Sequence, residues 1–343
     1  MKTFMKCFSG LAVIIFLFAG SPAVADTQHI DQLLESPFIA LELNADAETV
    51  PAGSPLVIYD TDYPQLNPRM WAAMFLGDEE KGNEVQVEGY NYAIEHDGQF
   101  AKYFSDEARI IARYSGNDIS VFWDEAQINR QAAGLLTTPE QAAATAADWM
   151  DMAEKTIGLN GFVPGNCYAM PSLRDWNRKN GFDDDPENGG EADKGCYVVE
   201  YIRLLNNLPV AYDRSSGMDE LKADTAGDYI QIWINDSGIV LIEGYVRCYN
   251  ENRIENLAVD LSRAVEILRE NMDFAECFPE RLPCPVTEIG LCYRLVQTHP
   301  VSDKSAAAQM EARPAWRFAT RINRREQTVF CMFIDAVTGE VLP

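Results

Sequence analysis

The stretch from Asp228 to Tyr245, DYIQIWINDSGIVLIEGY, decides the fold. Successive side chains of a strand point to opposite faces. Tyr229, Gln231, Trp233 and Asn235 therefore share one face, and Ile230, Ile232 and Ile234 share the other. Asn235-Asp236-Ser237-Gly238 is a hairpin turn sequence, and a second apolar run follows it. One dry face and one partly wet or covered face mark an antiparallel sheet.

Reading upstream, YVVEYIRLL and LPVAYD are strand-like, and a helix with a clear start precedes them. Thr138 is its N-cap, Pro139 fits the first helical position, and Gln141 completes a capping box before EQAAATAADWMDMAEKTI stops at Gly158. A second helix, MWAAMFL, lies between Asn67-Pro68 and Gly77. A third, RAVEILRENMD, has Ser262 or Asp260 as its cap. Strand-like runs follow each helix: VQVEGYNYAIEH, FAKYF, ARIIARYS and DISVFWDE after the earliest, and EIGLCYRLVQ, AWRFATRI and TVFCMFIDA after the last. Val337-Thr338-Gly339-Glu340 makes a closing turn. This order predicts an α+β fold of helix-plus-antiparallel-meander units in tandem. The expected division is a signal peptide over 1–25, an N-terminal α+β domain over 26–160 and a C-terminal α+β domain over 161–343.

The first 25 residues read as a secretory signal. Lys2 and Lys6 precede an apolar run from Phe8 to Phe18, then Gly20 and Pro22, then Ala23-Val24-Ala25 before Asp26. An uncleaved anchor is the alternative, but the run is shorter than the roughly 20 residues a spanning helix needs. No later segment is long and apolar enough to cross a bilayer, so the mature chain is expected outside the cytoplasm, secreted or in the cell envelope. Losing the two lysines leaves 26 basic against 53 acidic residues, a net charge of −27. That surface repels nucleic acid and anionic lipid. A hydrophobic content of 47% still supports packed cores.

Seven cysteines remain after Cys7 leaves with the signal: Cys167, Cys196, Cys248, Cys277, Cys284, Cys292 and Cys331. In an oxidising compartment they form up to three disulfides, and in a reducing niche none. Spacing favours Cys277 with Cys284 across a Pro-rich loop, and Cys167 with Cys196 around an acidic loop. No Cys-x-x-Cys occurs, which excludes thiol exchange by that motif.

Two segments, YVVEYIRLLNNLPVAYD and YIQIWINDSGIVLIEGY, resemble the PepSY and thermolysin-propeptide type of module. The resemblance is carried by Asn206 and Asn207 before Leu208-Pro209-Val210, and by Gly238 before Ile239 and Val240. Pro314, Ala315 and Trp316, with Asp335 through Leu342, are similar to the closing strands of that module. The stretch LELNADAETVPAGSPLVIYDTDYPQLNPRMWAAMFLGDE resembles the start of an uncharacterised family of exported bacterial lipoproteins. No cysteine stands near Ala25 to accept a lipid, a departure from that family. The resemblance implies non-catalytic roles, either inhibiting or chaperoning a peptidase or regulating an envelope sensor kinase. It implies a protein or peptide partner and no cofactor.

Catalytic motifs are missing. His29, His96 and His299 are far apart, with no His-Glu-x-x-His, no Gly-x-Ser-x-Gly and no phosphate-binding glycine loop. A secreted hydrolase with paired carboxylates is the alternative reading, since sequence does not give carboxylate separations. The acidic loop GFDDDPENGGEADKGC offers Asp183, Asp185, Glu187 and Asp193 as a weak calcium candidate. It departs from the EF-hand pattern at Asn188 and Lys194, and a solvated loop is the simpler reading. The tryptophans read first as core. Tyr229, Gln231 and Trp233 suggest a peptide-binding face beside an open sheet edge.

Overall fold

Three helices begin where a side chain accepts an otherwise unpaired backbone N–H. In α1 (Pro68–Leu76), Asn67 accepts from the Arg69 N–H, Pro68 opens the helix, and Gly77 closes it at φ 66°, left-handed backbone that glycine adopts without strain. In α2 (Pro139–Ile157), Thr138 and Gln141 form the reciprocal capping box and Gly158 is the left-handed stop. Asp260, rather than Ser262, caps α3 (Leu261–Asn271) by accepting from the Arg263 N–H. Each helix buries one stripe; in α2 it is Ala142, Ala146, Trp149, Met150 and Ala153, the spacing of a single helical face.

The computed structural model describes residues 26–37, 39–64, 66–89, 91–96, 98–104, 108–114, 127–128, 130–132, 134–172, 178–179, 194–211, 227–272, 283–298, 310–320 and 331–342. Strands dominate them, and nearly all pair antiparallel. After α1 come β4 (Gln86–Glu88), β5 (Asn91–His96), β6 (Gln99–Phe104) and β7 (Arg109–Arg113). On either side of α2 are β8 (Gln127–Ile128) and β9 (Phe162–Met170), followed by β10 (Cys196–Leu205), β11 (Leu208–Pro209), β12 (Tyr229–Asn235) and β13 (Gly238–Tyr245). These ten strands make one sheet in the order β4-β5-β6-β7-β13-β12-β10-β9-β8, with β11 folded onto β10. The β12–β13 hairpin turns at Asn235–Gly238 as its sequence predicts.

A second sheet joins both ends of the described chain. β3 (Pro55–Asp62) pairs with β14 (Cys248–Asn256) on one side and β17 (Met310–Ala319) on the other. β16 (Glu288–Gln297), β18 (Cys331–Asp335) and β19 (Val341–Leu342) complete it. A third, small sheet holds β1 (Asp26–Glu35), β2 (Ala40–Thr49) and β15 (Cys284–Val286), the last pair being parallel.

The architecture is therefore α+β and sheet-dominated. The expected boundary at 160/161 does not follow the sheets. β7, on one side of it, pairs with β13 on the other, from Leu241↔Arg113 to Tyr245↔Arg109. β1–β3, expected in the N-terminal domain, share a core with β15–β18, and Tyr249 of β14 packs against it. Two cores result. One gathers Leu41, Leu43, Leu56, Leu268, Tyr293, Trp316 and Phe318, and the other Trp71, Phe75, Trp149, Tyr197, Ile230 and Ile232.

Candidate functional site: a buried lobe junction and the open strand beside it

β10 belongs to both lobes. Tyr197, Val199 and Tyr201 pack into the helix-covered core of the ten-stranded sheet, whereas Leu205, Leu208 and Val210 belong to the other core. The arm turns at Asn206 and Asn207, whose φ values of 49° and 65° are the left-handed pair of a tight two-residue hairpin. Asparagine tolerates that backbone better than most residues. Beyond the turn, Val210 bridges Tyr293 in parallel, and the Ala211 N–H donates to the Tyr293 carbonyl at 2.8 Å. The arm thus adds a short strand to β16 of the opposite lobe.

A polar cluster lies beneath the same junction. Asp228 accepts from the backbone N–H of Arg247 at 2.7 Å and from its guanidinium Nη1 at 2.8 Å. The side chains are 0% and 5% exposed, so water does little for either charge. Burial works against the Arg247 charge, but the Asp228 carboxylate, together with Tyr249 and Tyr103, outweighs it and holds the guanidinium above its ordinary range. Arg203, from β10, lies 5.0 Å over the Phe162 ring and 5.3 Å over the Tyr249 ring. Its Nη2 donates to Asn160 at 3.2 Å. Tyr249 meets Tyr59 edge-on at 6.4 Å, and Tyr59 meets Tyr293 at 5.4 Å. Arginine and aromatic groups from both sheets are locked together here.

Arg247 leads directly into β14, and β14 is a sheet edge. Only β3 pairs with it among the described residues. Asn250, Glu251, Asn252, Ile254 and Asn256 are exposed, with Ile254 at 65%. Leu257 exchanges both of its backbone bonds with Gly53 and Ser54, each at 2.9 Å. Hydrogen-bonding direction alternates along an antiparallel strand. Glu255 and Arg253 therefore face β3, and Ile254 and Asn256 turn N–H and C=O outward. A bulge between Glu251 and Arg253 ends the regular stretch on its other side. Arg253 is held by Glu311 at 2.8 Å and by Glu255 at 3.4 Å. β1 is another edge with exposed residues, but its exposed charges at Asp31 and Glu35 are both acidic. β16 is met by the arm at Tyr293.

The structure places the sequence candidates as follows. Gln231 and Trp233 are 7% and 4% exposed, and β12 lies inside the sheet between β10 and β13. The expected peptide-binding face is therefore not an open surface. Trp233 packs with Tyr168, Val198 and Leu241, and Tyr229 lies 5.5 Å from Tyr245. Their alternation is real, but both faces are dry. Cys167 and Cys196 are not brought together. Cys167 pairs in register with Val199 and points into the helix-covered core, while Cys196 points into the cluster on the opposite face. Both are free thiols, which burial pushes up to about 11 and about 12. A thiol nucleophile at neutral pH needs the opposite shift. Cys284 is free and buried with its sulfur 3.7 Å from the Thr320 hydroxyl, and Cys277 lies outside the described residues. So do Asp183, Asp185, Glu187, Asp193 and His299.

His29 contacts Asp46 at 2.8 Å on the small sheet, and His96 contacts Glu84 at 3.2 Å in the other lobe. Among the described residues no three metal-ligating side chains group together. The fully buried carboxylates Asp228 and Asp335 each face an arginine, Arg247 at 2.8 Å and Arg313 at 3.0 Å. No described helix is long and apolar enough to cross a membrane. Sequence reasoning missed both the Asp228–Arg247 pair and the β14 edge. The Arg-Ile-Glu alternation at 253–255 was the one available signal for the edge.

The fold is similar to that of one solved bacterial protein. It resembles the crystal structure of an uncharacterised protein from Eubacterium rectale ATCC 33656, with a TM-score of 0.51 and 13% identity over 88% of this chain and 90% of that one. YycH from Bacillus subtilis aligns over 88% of this chain and 57% of its own, with a TM-score of 0.35 and 10% identity. No protein-family model and no curated protein matches the sequence.

Proposed function

We propose that this chain is an exported, non-catalytic binding protein of the cell envelope or extracellular space, and that it engages an extended segment of a protein partner by strand addition at β14. The open edge at Ile254 and Asn256 carries this reading. Main-chain donors and acceptors aimed at solvent supply affinity, and alternate side chains supply selectivity. The signal-like 1–25 segment supports export. The PepSY-type motifs at Asn206–Val210 and Gly238–Val240 support a regulatory role, with a peptidase or a sensor kinase as the regulated partner, and support reading the three helix-then-strand runs as versions of one plan. A hydrolase with paired carboxylates would need one carboxyl raised in a cleft beside a second. Burial does raise the Asp228 carboxyl, but the charged groups acting on it are Arg247 and Arg203 rather than a second carboxyl, and Asp335 faces Arg313.

The test is selection of nine-residue peptides, the length of β14, from a displayed random library against the whole chain. Proline is tolerated on an edge strand where its missing N–H faced solvent. Ile254→Pro and, as a second variant, Asn256→Pro should each abolish binding of the selected peptides. Undiminished binding to both would contradict the proposal.

A further inference from the structure

We propose that the segment fitting β14 best is β14 of a second copy of this chain, giving a twofold edge-to-edge dimer; this rests on the reading of β14 as the docking edge. An antiparallel pair centred on Ile254 sets residue 254 against 254 and residue 253 against 255. The outward N–H and C=O groups of Ile254 then meet the same groups of the second copy, as a hydrogen-bonded pair requires. Ile254, 65% exposed in the single chain, covers its counterpart on the axis. Arg253 lies opposite Glu255 of the other copy, and Glu255 opposite its Arg253, so charge is complementary twice over. Side chains directly opposite on one face are close enough to interact. The bulge between Glu251 and Arg253 limits pairing to the regular stretch around Ile254 and discourages open-ended sheet growth. A twofold contact of this kind closes on itself. β1 lacks the property, because pairing it with itself sets its acids near one another.

The interface is small, so association belongs in roughly the micromolar range. The experiment is sedimentation velocity of the full mature chain over a concentration series at physiological salt, with Arg253→Glu and Glu255→Arg each alone and mixed. The wild type should dimerise. Each single variant opposes like charges at both pairs and should self-associate roughly tenfold more weakly or worse. An equimolar mixture of the two variants restores opposite charges across the pair and should dimerise again, which also shows that both variants fold. A wild type that stays monomeric throughout, or single variants that associate as the wild type does, would overturn the dimer. If library peptides still lose binding to Ile254→Pro in that event, strand addition at β14 stands and only the second copy as occupant falls.

Discussion

The Arg247 backbone N–H and guanidinium both close on the Asp228 carboxylate, at 2.7 and 2.8 Å, one residue before the chain enters β14. The pair lies where the ten-stranded sheet hands the chain to the six-stranded one, and it is shut off from water. Breaking such a pair by removing one partner leaves a buried charge uncompensated, at a cost of about 3–5 kcal/mol. Asp228→Ala should lose that much stability in urea unfolding. Asp228→Leu combined with Arg247→Met should regain part of the loss, the backbone N–H of residue 247 still lacking its acceptor. A loss confined to a few tenths of a kcal/mol would mean the pair is solvated.

The arm that crosses between lobes is anchored by Leu208, which is buried with Leu205 and Val210. Truncating a buried leucine costs about 2–5 kcal/mol. Leu208→Ala should fall in that range by chemical denaturation. It should also speed amide exchange at Ala211, whose N–H is held by the Tyr293 carbonyl.

Stability should fall in acid partly through Asp236. Its carboxylate accepts from the Thr137 N–H at 3.0 Å, from Lys194 Nζ at 2.9 Å and from the Leu136 N–H at 2.9 Å. Led by the Thr137 backbone bond, these hold it down at about 2 from an ordinary 3.8. The folded state thus binds this proton more weakly than the unfolded chain does. The contribution is complete above the unfolded value and is lost as pH falls towards about 2. Asp236→Asn should therefore be less stable than wild type at neutral pH, with the difference closing at the acid end.

Cys167 and Cys196 should resist alkylation at neutral pH in the folded chain and react fully after unfolding. Peptide mapping without reductant should find no bond between them. A linked Cys167–Cys196 peptide would contradict the register that sets them on opposite faces.

Local chemistry made part of this legible. The Thr138–Gln141 box, the stops at Gly77 and Gly158 and the turn at Asn235–Gly238 each act within a few residues, so their signals sit in the sequence. The pairing of β3 with β14 and β17 does not. Glu311 meets Asp60 across most of the chain, and nothing local to either residue records it. Trp233 misled for a related reason. Tyr229 and Gln231 make its face look wet, but in the fold Gln231 and Trp233 are both buried, Trp233 among side chains of neighbouring strands. Asp228 and Arg247 read as ordinary surface charges until the fold seals them together, which is also why the β14 edge stayed hidden.

Amide exchange along β14, followed residue by residue, tests the central claim most directly. In dilute chain the Arg253 and Glu255 amides should exchange slowly, and the Ile254 and Asn256 amides fast. Raising the protein concentration should slow Ile254, and adding a selected peptide should slow both, with the Arg253 and Glu255 amides unchanged. Slow exchange at Ile254 and Asn256 from the start, or no change on association, would contradict an open edge that takes a strand.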